Sequence, residues 1–187
     1  MKKKIIFGLI GLAVIFLFPI IDNNTYHLYL LNRALIHAIL ATGLVFLTGF
    51  AGQISLGQAG FYAIGAYSSA YFSTRLGLPI FLGIIIGIGI SVLAGFLLSI
   101  PSFKLKAFFL SLVTIAFGQI INMLVVNLQP ITGGPYGFFG IPFYHVGDYM
   151  FSFENVFWLL GVVLLFTLYI MYKIKHSHYG RAMLAMN

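Results

Sequence analysis

The sequence predicts an all-α membrane protein: a polytopic helical bundle of about six transmembrane helices, with both chain ends in the cytoplasm. Three observations predict it. Of 187 residues, 61% are hydrophobic and only 7% charged, against about 25% charged in an ordinary soluble domain. The apolar residues gather into six runs, each near the roughly 20 residues that a spanning helix needs. The basic residues, which produce a formal net charge of +7, sit at the edges of those runs. That is a membrane pattern, and not the clustered surface of a nucleic-acid binder. The composition also excludes a disordered chain and almost any soluble enzyme. With no cysteine there is neither a disulfide framework nor a thiolate metal site.

The runs are Ile5 to Ile21, Leu28 to Thr48, Ile54 to Thr74, Pro79 to Ile100, Lys106 to Leu128 and Asn155 to Tyr172. The first follows Lys2 to Lys4 like a secretory signal. It contains Pro19 and leads into Asp22-Asn23-Asn24 rather than a small-residue cleavage site, so an uncleaved helix is the better reading. With the N-terminus inside, Lys2, Lys3, Lys4, Lys104, Lys106, Lys173, Lys175 and Arg181 all fall on the cytoplasmic side. Arg75 falls outside and Arg33 lies within the second run, while the acids Asp22, Asp148 and Glu154 all land outside. The uncharged link Gly49 to Gln53 is read either as a cytoplasmic turn or as an unwound break within the bilayer.

In lipid, close packing of small residues does much of the work of helix association. The fourth run carries Gly83, Gly87, Ser91, Gly95 and Ser99, spaced by four, which makes one continuous ridge. The third run carries Ala59, Ala63, Ala66, Ala70 and Ser73 on one face, and the fifth Ala107, Ser111, Thr114 and Gly118. These three spans are expected to pack together. The first and sixth have bulkier residues, such as Phe16 and Trp158, and are expected nearer the lipid.

Chemistry is sparse. No acid lies inside a run, so carboxylate catalysis and a proton relay within the membrane have no obvious carriers. Arg33 and His37 share a face near the outer end of the second run. They are either functional groups or side chains reaching for the interface. His176 and His178 fall short of the ligands that zinc needs, and no Gly-rich stretch matches a phosphate loop. No metal and no cofactor is expected. The uncharged polar residues within the runs are Gln53, Ser55, Gln58, Tyr62, Thr114, Gln119 and Asn122. They either bond helix to helix or line a path for a polar solute.

Four segments resemble one family. Thr48-Gly49-Phe50-Ala51-Gly52-Gln53-Ile54-Ser55-Leu56-Gly57-Gln58-Ala59-Gly60-Phe61, continuing to Tyr67, is similar to the signature of the LivM-type permeases. These are membrane subunits of bacterial ABC importers for branched-chain amino acids. Leu112 to Gln119 resembles the family's mid-chain helix, and Thr132-Gly133-Gly134-Pro135-Tyr136-Gly137 its external loop. Ser177-His178-Tyr179-Gly180-Arg181-Ala182 resembles the opening of its cytoplasmic coupling segment. Gln58 stands where many members have His, and Gln119 where many have Glu. The resemblance covers nearly all of this chain but only the N-terminal part of a family member, so an incomplete permease domain over 1–187 is expected, its coupling segment beginning near 177.

The resemblance implies a permease subunit in the bacterial cell membrane, with no enzymatic activity of its own. Its implied partners are a second permease subunit, cytoplasmic ATPases, an external amino-acid-binding protein and the lipid bilayer. ATP hydrolysis on the partner would drive alternating access. Gly180, Arg181 and Ala182 would begin the ATPase contact, and Gly133, Gly134 and Pro135 would lie on the binding-protein side. A related permease for a sugar, nucleoside or urea, or a non-functional fragment, is the alternative.

Overall fold

The computed structural model describes residues 19, 24–50, 52, 55–102, 107–142, 145–146, 149–178 and 180. Among these residues the long elements are five α-helices: α1 Thr25–Phe50, α2 Gln58–Arg75, α3 Ile80–Ser102, α4 Ala107–Asn127 and α6 Phe153–His176. Between α4 and α6 lie the four-residue α5 Gln129–Thr132, a 3-10 turn Gly134–Tyr136, and the strands β1 His145–Val146 and β2 Tyr149–Met150. The strands pair antiparallel, His145 opposite Met150 and Val146 opposite Tyr149. The fold is thus an all-α membrane bundle, with the two-residue strand pair as its only described extended pairing. Apart from Pro19, the first expected span lies outside the described residues.

Each boundary has a local cause. Asn24 opens α1: its side-chain Oδ1 accepts the Tyr26 N–H at 3.0 Å, and its carbonyl accepts the Leu28 N–H. The helix then runs through Gly49 to Phe50, so the uncharged link begins beyond Phe50 rather than at Gly49. Ser55 to Gly57 are non-helical and lead into α2, which starts at Gln58, four residues later than the run at Ile54 suggested. Ser152 caps α6, its hydroxyl accepting the Asn155 N–H at 3.3 Å. Glu154 stands in the first turn of α6 and Lys173, Lys175 and His176 in the last, each sign facing the favourable end of the helix dipole.

Among the described residues, four helices are long and apolar enough to cross a bilayer: Thr25–Phe50, Ile80–Ile100, Phe109–Asn127 and Phe153–His176. The third expected span, α2, is not among them. Its 18 residues reach about 27 Å, slightly short of a bilayer's hydrocarbon core of about 30 Å, and include five Ser, Thr or Gln side chains. The helix tolerates this composition because it is lined by protein on two sides.

The described residues form two compact units, one of Leu44 to Met150 and one of α6 with α1 up to Gly43. In the former, α2 packs between α3 and α4. The ridge on α3 meets α2 as expected: a Cβ on Gly87 would stand 2.8 Å from the Gly65 carbonyl oxygen, and one on Gly83 2.8 Å from that of Ser69. Ser91 Oγ approaches Gly65, and Gly95 approaches the Phe61 ring. The partner face is therefore Phe61, Gly65, Ser69 and Ser73, again spaced by four. Only Ser73 of the expected stripe belongs to it: Ala59 and Ala66 are exposed, and Ala59 and Ala63 line the cleft toward α4 instead. On the other side, Gly60 lies against Phe117 and Gly118 of α4, and the Phe61 and Phe117 rings meet tilted at 4.8 Å between centroids.

The other unit adds a packed face that the sequence did not mark. Although α6 lacks a small-residue stripe, it has a packed face: Phe157 is fully buried, with Gly161 and Leu164, against Leu35, Leu31, Ala38 and Ile39 of α1. Asn32 fastens the pair by donating from Nδ2 to the Phe153 carbonyl at 3.0 Å. Only the remaining face, with Trp158, Val162 and Phe166, is exposed.

Candidate functional site

The expected polar residues are distributed over different sides of α2 rather than along one path. Gln119 and Asn122 are exposed side chains on α4. They line a cleft of about 410 Å³ whose α2 wall is Leu56, Ala59, Gly60, Ala63 and Tyr67. Gln58 and Tyr62 line a separate groove of about 530 Å³ between α2 and α3, with Phe61, Ser69 and Ser91. Gln53 lies outside the described residues.

Thr114 and Ser55 are closed off. Thr114 is 3% exposed. Its hydroxyl donates to the Ser111 carbonyl at 2.9 Å and accepts the Leu56 N–H at 3.0 Å. Gly57 allows this approach, because even a Cβ there would stand 3.2 Å from the Thr114 carbonyl. The bond satisfies a backbone donor where the chain is not yet helical, and an unsatisfied donor at membrane depth is costly. Thr114→Val is expected to lower stability by about 1–2 kcal/mol, with Thr114→Ser near neutral. Thermal unfolding in detergent checks the pair, and equal midpoints for the two variants would contradict the role.

Residues that the sequence did not single out as pathway candidates complete the cleft. Ala63, Tyr67, Ile121 and Val125 line it and also line an adjoining apolar cavity of about 410 Å³ with Ile64, Tyr71, Phe72, Ile90, Leu124, Leu128, Ile131 and Thr132. Their signal was in the spacing: Ala59, Ala63 and Tyr67 on α2, and Ile115, Gly118, Asn122 and Val125 on α4, recur every three or four residues.

The Gly-Pro loop is tightly wound against the end of α4. Thr132 is buried, its hydroxyl donating to the Val125 and Leu128 carbonyls at 2.6 and 2.8 Å and accepting the Gly134 N–H at 3.1 Å. Gly133 and Gly134 both have left-handed backbone, with φ of 78° and 63°. That fold leaves Pro135 exposed and Tyr136 83% exposed.

At the end of α6, Ser177 makes a corner. Its N–H and hydroxyl both donate to the Ile174 carbonyl, while its hydroxyl accepts the Gly180 N–H at 3.1 Å. One serine thus closes α6 and caps the helical turn that follows, at 178 and 180. A Cβ on Gly180 would run into the Ile174 carbonyl, so the corner closes tightly. Arg181 and Ala182 lie outside the described residues.

Arg33 and His37 bond locally. Arg33 lies 5.9 Å over the Tyr29 ring, pointing back toward the start of α1, and His37 Nδ1 is 2.7 Å from the Arg33 carbonyl oxygen. His176 Nδ1 similarly sits 2.9 Å from the Tyr172 carbonyl oxygen.

Residues 26–187 match the model of a family described as branched-chain amino acid transport system / permease component. Two curated proteins are similar, both named high-affinity branched-chain amino acid transport system permease protein LivM. The one from Escherichia coli (strain K12) is 37% identical over 141 residues, 75% of this chain and 32% of that protein. The one from Salmonella typhimurium is 40% identical over 111 residues, 59% of this chain and 26% of that protein. The chain therefore spans about a quarter to a third of the length of these relatives. No solved structure matches it.

Proposed function

The chain belongs to the permease family of branched-chain amino acid transport systems, and from that premise we propose that it is a membrane-spanning subunit of an ATP-driven importer of branched-chain amino acids. It is a multi-pass membrane protein and a transport component rather than an enzyme. Its seat would be the bacterial inner membrane, beside a second permease subunit and above ATPases that supply the energy.

The observation that carries the reading is the cleft between α2 and α4. It is lined by apolar walls and two uncharged amides, Gln119 and Asn122. Uncharged donors and acceptors hold a polar solute without fixing it, which suits passage. Coupling to a partner's ATP also fits a sequence whose acids stand outside the apolar runs. The corner at Ser177 to Gly180, continuing into Arg181 and Ala182, would begin the contact with the ATPase. The loop at Gly133 to Pro135 would face an external binding protein and offer it an exposed ledge at Pro135 and Tyr136.

Reconstitution tests this. Proteoliposomes carrying the chain with its companion permease and ATPases, supplied with loaded binding protein, are expected to accumulate leucine only when ATP is present. Leucine uptake that ignores ATP, or none by an assembled complex, overturns the proposal.

A further inference from the structure

We propose that the polar cleft and the apolar cavity beside it form one amphiphilic seat, in which Gln119 and Asn122 take the charged end of a free amino acid and the lobe around Leu124 takes its branched side chain. This rests on the importer reading and names which part of the chain would distinguish the solute.

The two spaces share Ala63, Tyr67, Ile121 and Val125 as a common wall, so they adjoin along α2 and α4. Their chemistry differs sharply. The first exposes two side-chain amides with no hydrogen-bond partner among the described residues. Each amide offers both a carbonyl acceptor and two N–H donors. The pair therefore matches an ammonium and a carboxylate together, which is what the α-carbon of an amino acid carries. The second is walled by Ile64, Phe72, Ile90, Leu124, Leu128 and Ile131.

A sugar, nucleoside or urea fits this seat poorly. Such solutes carry hydroxyls or amides around most of their surface, and an apolar lobe would leave those groups unpaired. A solute polar at one end and branched-aliphatic at the other leaves nothing unpaired in either part. Each space has about 410 Å³, so the walls of the lobe, Leu124 among them, set how large an apolar side chain it takes.

Leu124 is the position to test. It is 45% exposed and lines the lobe but not the polar cleft, so enlarging it fills the lobe without overpacking a core. The full transporter is reconstituted, and uptake of leucine and of valine is measured at saturating loaded binding protein, with ATP hydrolysis in parallel. One methylene in an apolar pocket changes discrimination by about tenfold or more. Leu124→Trp is expected to lower leucine uptake about tenfold more than valine uptake. Leu124→Ala, which overfills nothing, is expected to move the ratio the other way. Asn122→Leu is expected to lower both about tenfold alike. Unchanged leucine-to-valine ratios in both Leu124 variants overturn the side-chain lobe. Full uptake of both solutes by Asn122→Leu overturns the polar end. If the unaltered transporter carries neither amino acid, the importer reading itself fails; if it carries both and the variants do not discriminate, only the seat fails.

Discussion

Gly87→Leu is expected to unfold the pairing of α2 with α3 and to abolish recovery of the assembled protein from detergent. The cause is the closeness of two backbones. A single Cβ at Gly87 would already stand 2.8 Å from the Gly65 carbonyl oxygen, with Ser69 N and Cβ at 3.5 Å. Those neighbours are largely backbone, so no rotamer change relieves the overlap. Leucine adds three more carbons and forces α3 away along its whole ridge. The contacts at Gly83 to Ser69 and Ser73, and at Gly95 to Phe61, open with it. Each lost contact is worth only about 0.1–0.2 kcal/mol, but a helix face holds many, and lipid provides no hydrophobic force to close the gap. Overpacking of this kind costs about 1–3 kcal/mol and sometimes more. Gly89 is the internal control. It lies on the same helix, is exposed, and a Cβ there meets nothing within 4 Å. Gly89→Leu is expected to leave the unfolding midpoint and the yield unchanged. Equal effects of the two substitutions would contradict the ridge.

The ridge itself was legible in the sequence, because five small residues in strict four-residue register have no other simple reading. Its partner was not. On α2 two sets compete, the alanines at 59, 63, 66 and 70 and the set Phe61, Gly65, Ser69 and Ser73. The second is the true contact, and Phe61 at its head disguises it as an ordinary apolar residue. A membrane chain is apolar toward lipid and toward protein alike, so composition reveals the helices but not their inward faces. The same limit explains α6. Its bulky side chains suggested a place nearer the lipid but did not mark its packed face, where Phe157 is a knob with Gly161 one turn below it. The reverse holds for α2, where a helix too polar to span lipid alone reveals its central place. Helix ends were read within a few residues where a cap exists, as at Asn24 and Ser152. Of the polar candidates, the sequence named the residues but not their sides. The i, i+4 relation of Gln58 and Tyr62 puts both toward α3, while Gln119 and Asn122 face α2 from across the other cleft.

Gly133→Ala is expected to undo the Gly-Pro loop while leaving the helices intact. Gly133 sits at φ 78° and ψ 0°, in the left-handed region, where a side chain costs about 1–2 kcal/mol. A Cβ there would also run into the Gly137 carbonyl. That carbonyl has little freedom, because the Gly137 N–H is bonded to the Gly134 carbonyl at 3.1 Å and the Gly134 N–H to Thr132 Oγ1. Displacing it breaks the short 3-10 turn and frees Thr132, whose hydroxyl otherwise ties the loop to α4. Gly140 separates the two contributions. Its φ of 71° carries the same dihedral cost, but its Cβ would meet nothing within 4 Å. Gly140→Ala is therefore expected to cost only the dihedral strain, and Gly133→Ala that strain plus the collision. Hydrogen exchange of the Gly134 and Gly137 amides reads the difference directly: fast exchange in Gly133→Ala, near-native protection in Gly140→Ala. If the loop meets an external binding protein, uptake driven by that protein falls with the first substitution and survives the second. Equal exchange in the two variants would show that the turn is held by something other than the close approach of Gly133 to Gly137.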